Sequence, residues 1–204
     1  MKATQNLPPN YIQSGIFDLK NKKLLILMNA AGLVILIVSI WFYSWLAANF
    51  RGTSSSSISF EFTSLPSFLF SSLKLILTIV LVLVFHEAIH AFFFWYFSRQ
   101  KPKVGFKGSY AFAAMPGWYF PRNQYLLIGI APLLVITLIG ILLLVITPES
   151  LLNMILVALI LNTSGAIGDL IVVLWLLTKP RYTYALDQID SILFYVPITS
   201  DENV

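Results

Sequence analysis

The chain's only two histidines stand four residues apart in His86-Glu87-Ala88-Ile89-His90. On a helix, residues four apart share one face, so both imidazoles can reach a single metal ion. Glu87, between them, is placed to act as general base on a water activated by that ion. The chemistry that this spacing allows is metal-assisted hydrolysis. The motif sits inside an apolar run from about Phe68 to Phe97. A charged or metal-binding side chain in hydrocarbon costs at least ~2.5–3.5 kcal/mol on insertion scales, so such groups persist mainly where they have partners and a role.

The chain has no cysteine, which excludes disulfides, thiolate metal sites and a cysteine nucleophile. Of its 9 acidic residues, only Glu87 and Asp169 fall inside apolar spans. A catalytic zinc site uses three protein ligands and keeps one position open for water. By elimination His86, His90 and Asp169 meet that need, with Zn2+ as the expected cofactor. Depth agrees. At ~1.5 Å per helical residue, His90 lies roughly 14 Å from Arg99, and Asp169 roughly 15 Å from Lys179. Asn162, Gly165 and Asp169 fall on one helical face, with Ser164 and Gly168 adding small residues for close helix packing. Asn162 could hydrogen-bond a substrate carbonyl or oxyanion. The alternatives are plainer: Asn162 as polar glue between helices, and Asp169 as a packing aspartate bonded to Asn162 or Ser164.

The elements that must position these residues are membrane helices. Of the 204 residues 58% are hydrophobic and only 11% charged, and the mean hydropathy is +0.82. A soluble domain carries about 25% charged residues. There is too little polar surface here to coat a globule in water. The expected fold class is an all-α polytopic membrane protein with four transmembrane helices, about 24–50, 66–98, 125–147 and 151–178, each long enough for the ~20 residues that a crossing needs. Residues 1–23 form a polar lead-in, residues 24–178 one membrane domain, and residues 179–204 a tail with strand character at Ser191–Pro197. Pro132 is expected to kink the third span. The serine run after Gly52 reads as a linker. The aromatic cluster from Phe92 to Phe97 reads as lipid-facing packing and an interfacial belt. Between spans two and three, Val104, Phe106, Tyr110 and Phe112 alternate with small or polar residues, and Met115-Pro116-Gly117-Trp118 suits a type II turn. That loop is either a β-hairpin or an amphipathic segment lying on the membrane.

Eleven of the 13 basic residues lie before span one, between spans two and three, or after span four; only Arg51 and Lys74 remain for the other side. The positive-inside rule puts both termini and the middle loop in the cytosol of a multi-pass cell-membrane protein. The net charge of +4 is thereby explained by topology and lipid headgroups, and nothing points to nucleic acid.

His86-Glu87-x-x-His90 on one span, with Asn162-x6-Asp169 on a later one, resembles the intramembrane zinc metalloproteases of the site-2 protease type. Ala131-Pro132 in span three and Ser164-x-x-x-Gly168-Asp169 in span four resemble, more closely, the compact bacterial membrane family of zincin peptidases. The resemblance covers most of residues 68–180. It implies that Glu87 is the general base, that His86, His90 and Asp169 bind zinc, and that residues 104–120 form a hairpin presenting substrate as an added strand. Site-2 proteases have a proline where Gly165 stands, the aspartate eight residues after the asparagine rather than seven, and a glycine where Leu170 follows Asp169.

The leading expectation is a zinc-dependent intramembrane endopeptidase acting on membrane or membrane-proximal peptides, with lipids as surroundings. The other class consistent with the same residues is a non-proteolytic metal-binding membrane factor, or an ion or proton conduit.

Overall fold

The structure, a computed structural model, describes residues 1–52, 63–108 and 110–198. The serine run read as a linker lies outside the described residues. Among the described residues five helices and six strands follow one another: β1 (Tyr11–Asp18), α1 (Lys22–Arg51), α2 (Leu65–Ser98), β2 (Lys103–Lys107), β3 (Tyr110–Ala114), β4 (Tyr119–Pro121), α3 (Arg122–Ile146), α4 (Glu149–Gly165), α5 (Ile167–Leu177), β5 (Tyr184–Asp187) and β6 (Ser191–Pro197). The all-α expectation is therefore corrected. The helices dominate, but strands occupy much of the lead-in, the middle loop and the tail.

α1, α2 and α3 are each long and apolar enough to cross a membrane, and α4 with α5 makes a fourth crossing if the two count as one span. Their apolar side chains point largely outward; Ile26, Trp41 and Leu142 are 69%, 68% and 67% exposed. Such faces are stable against lipid tails and would associate in water. The α4–α5 pair is broken at Ala166, whose N–H makes the last α4-type bond to the Asn162 carbonyl. Gly165 and Gly168 flank the break, and glycine is a poor helix former.

The chain divides into two compact units. One comprises Met1–Met28, Glu87–Ala131 and the chain from Gly168 onward. It holds all of the described strands. Four of them form an antiparallel sheet in the order β1-β6-β5-β4, and β2 pairs with β3 as a separate hairpin. The hairpin turn falls between Lys107 and Tyr110. The turn expected at Met115–Trp118 does form, with the Trp118 N–H bonded to the Met115 carbonyl and Gly117 at φ 81°; it joins β3 to β4. The core of this unit contains Phe94, Phe120, Tyr125, Ile128, Leu176 and Phe194. Phe94 is only 1% exposed, so the aromatic cluster is not wholly lipid-facing as expected: Phe92 points outward and Phe94 anchors the core.

The other unit comprises Asn29–His86 and Pro132–Ile167. Tyr43 and Ala47 of α1, Leu144 of α3, and Leu156 and Leu159 of α4 form its core. The Tyr43 hydroxyl meets Thr163 Oγ1 at 2.8 Å. Arg51 donates to the carbonyls of Leu144 and Thr147, which satisfies free acceptors at the end of α3 and places a cation where the helix dipole favours one.

Candidate metal centre

α2 runs unbroken from Leu65 to Ser98, so His86 and His90 project from one face a single turn apart. Each ring has its Nδ1 engaged. His86 Nδ1 lies 3.2 Å from Asn162 Oδ1, and Asn162 is itself buried. The Asn162 amide nitrogen reaches the Leu133 carbonyl and Thr137 Oγ1, each at 3.4 Å. With Nδ2 donating to those acceptors, Oδ1 accepts a hydrogen bond from the His86 Nδ1–H.

His90 Nδ1 lies 2.9 Å from the Ile128 carbonyl. A carbonyl can only accept, so here Nδ1 carries the hydrogen. The reason that this acceptor is available is in the sequence. In a helix the Ile128 carbonyl would receive the N–H of the residue four on, which is Pro132, and proline has none. The proline in the middle of α3 thereby leaves an acceptor in a buried place, and His90, 8% exposed, fills it.

Asp169 lies in the first turn of α5. One of its carboxylate oxygens stands 3.4 Å from His90 Nε2. α5 reaches this position by close packing on α3. A Cβ on Gly129 would come within 2.9 Å of Val173 Cγ2, and Val173 is one turn beyond Asp169 on the same face. One ligand atom each from His86, His90 and Asp169 lies within 4.8 Å of the others.

These residues fit a zinc ion on chemical grounds. Both imidazoles have Nδ1 committed to an oxygen, which leaves Nε2 as the metal-binding atom. That is the usual arrangement, in which the second ring nitrogen donates to a carbonyl or carboxylate and fixes tautomer and orientation. Two ligands ~2.0–2.1 Å from a tetrahedral zinc stand about 3.4 Å apart, which matches the His90–Asp169 separation. Glu87 is half-buried on the same helix. Of the five residues singled out from the sequence, His86, His90 and Asp169 come together, and Asn162 is bonded to His86. Sequence reasoning missed Pro132 as the source of a ligand's acceptor; the signal was its spacing of four from Ile128. It also missed Tyr125 and Asp187, in the same unit, whose hydroxyl and carboxylate are 2.8 Å apart.

A helical, lipid-suited chain with two histidines and a carboxylate around one point, and a glutamate beside them, has the donor set of a zinc metallopeptidase. The family model described as "Putative zincin peptidase" matches residues 79–184, and the chain belongs to that family. No curated protein and no solved structure matches it.

Proposed function

We propose that this protein is a zinc-dependent intramembrane endopeptidase, and the observation that carries the proposal is the convergence of His86, His90 and Asp169, with Nδ1 of each ring engaged by an oxygen. Family membership supports peptide hydrolysis as the reaction. Zinc, when bound, lowers the pKa of a water and polarises a carbonyl. The chain's own residues supply the rest. Glu87 takes the proton of the attacking water and returns it to the leaving amine. Asn162 holds His86, and the Ile128 carbonyl holds His90, so neither ring has to reorient during turnover.

The substrate is a peptide in or beside the membrane, read as an extended strand. β2 and β3 pair only with each other among the described strands, so each has an edge able to accept another strand. That supports residues 104–120 as the presenting segment expected from the site-2 protease resemblance. Both termini are cytosolic in this reading. Eleven of the 13 basic residues belong to the unit that holds the strands, the other two being Arg51 and Lys74. Within that unit Arg99 lies over the Tyr96 ring at 5.0 Å and Lys179 over the Trp175 ring at 4.3 Å, which suits interfacial anchoring at the helix ends.

The test is cleavage of apolar peptides by the purified protein and by Glu87→Gln at equal zinc content. Loss of general-base catalysis lowers turnover on the order of 10²–10⁴-fold. Equal turnover in the two would remove Glu87 from the chemistry. Zinc binding without cleavage of any peptide would favour the non-proteolytic metal-binding factor.

A further inference from the structure

Asp187 lies at the end of β5, beyond the residues matched by the family model. Its Oδ2 accepts a hydrogen bond from the Tyr125 hydroxyl at 2.8 Å, and its Oδ1 accepts the Ile189 N–H at 3.0 Å. Ile189 adopts φ 70°, a left-handed conformation that a β-branched residue rarely takes. The turn from Asp187 to Ser191 is thus held in a strained shape that aims an N–H at this carboxylate. Tyr125 is buried in the core that also holds Phe94 and Ile128. It is three residues before Ile128 on α3 and so on the same face, while Phe94 is one turn beyond His90 on α2. The first turn of α3 is fixed from the other side as well: Arg122 donates through its side chain to the Leu176 and Leu177 carbonyls and through its backbone to Thr183.

We propose that Asp187 is a positioning residue for the metal centre: it fixes Tyr125 and, through the opening turns of α3, the Ile128 carbonyl that orients His90. The β5–β6 register pairs Asp187 with Ile192, and beyond that ladder the Asp187 side chain bonds Tyr125 and the Ile189 N–H. Burial pushes its carboxyl above the ordinary value, while Tyr125 and Ile189 hold it down. His90 and Asp169 are near enough to feel its charge.

This inference rests on zinc binding at His86, His90 and Asp169 but not on peptide cleavage. The test is zinc affinity of the purified full-length protein in detergent, by competition with a chelator. Removing a group that orients a ligand typically weakens metal binding 10–100-fold. Tyr125→Phe keeps the ring and the core, and Asp187→Asn keeps the shape. Each is expected to weaken zinc about tenfold, and the double variant to be no weaker than either one. Asp190→Asn, in the same turn but directed at Lys107, should leave zinc affinity at the wild-type level. Wild-type affinity in both Tyr125→Phe and Asp187→Asn would overturn the proposal. So would an equal loss in Asp190→Asn, because the turn as a whole would then be what matters. If the wild-type protein itself bound no zinc, the reading of the metal site would fall, and this inference with it.

Discussion

At the scale of single residues, the centre depends on hydrogen bonds that commit one nitrogen of each histidine. Asn162 touches His86 at 3.2 Å, and its expected contact with substrate is a separate question from that one. Asn162→Leu would leave His86 free to rotate and Nδ1 free to compete for the metal. It should weaken zinc 10–100-fold while the peptide KM at saturating zinc changes little; a raised KM with unchanged zinc affinity would instead favour direct substrate contact. The motif His86-Glu87-x-x-His90 was legible because histidine is so scarce in this chain. Asp169 was legible because so few acids lie in apolar surroundings. The Asn162–His86 bond was not. Helical periodicity carried Asn162 onto the face of Asp169, whereas the break at Ala166 separates their helices.

At the scale of elements, Pro132 and Gly129 shape α3 around the site. Pro132→Ala restores an N–H to the Ile128 carbonyl. Removing proline from a helix interior ordinarily stabilises by up to ~3 kcal/mol, but here it offers His90's acceptor a competing donor. We expect thermal stability equal to or above wild type together with weaker zinc binding. A change of both in the same direction would contradict the account. Gly129→Ala places a methyl against Val173, and overpacking of this kind costs typically ~1–3 kcal/mol. It should also move Asp169 and lower zinc affinity, which chelator competition would read. The hairpin has its own tether. Asp190 accepts from Lys107 Nζ at 2.7 Å and from the Tyr110 hydroxyl at 2.6 Å, and Lys20 lies 3.4 Å away. The Lys107 and Tyr110 hydrogen bonds lower the Asp190 carboxyl from 3.8 to about 2. Its folded value is below its unfolded one, so the tether is complete above pH 3.8 and is lost as pH falls through about 2. The bond to Asp190 raises the Tyr110 hydroxyl from 10.0 to about 12, so its share holds below pH 10 and is lost as pH rises through about 12. Amide-exchange protection of β2 and β3, corrected for intrinsic rates, should follow that window and fall in Asp190→Asn at neutral pH. Unchanged protection in that variant would show that the tether does not hold the hairpin.

At the scale of the whole molecule, the helices were readable from hydropathy and one strand, Ser191–Pro197, from its local character, but the sheet it joins was not. β1 lies in a stretch that looks like a polar lead-in, and its partner β6 is about 180 residues away; no local pattern reports such a pairing. Asp187 was hidden for a similar reason, since it acts on a helix from within a tail. The orientation read from Lys and Arg is open to a simple test because the chain has no cysteine. Single cysteines can be introduced one at a time. In intact cells a membrane-impermeant maleimide should label Ser150→Cys and spare Lys20→Cys and Lys107→Cys. The reverse pattern would invert the topology. The measurement that bears most directly on the metal centre is zinc content after equilibration of purified protein with buffered zinc, for the wild type, His90→Ala and Asp169→Ala. The account predicts about one zinc per wild-type chain and a loss of most of it in both variants. A wild-type chain without zinc, or an Asp169→Ala variant that retains it fully, would contradict the account.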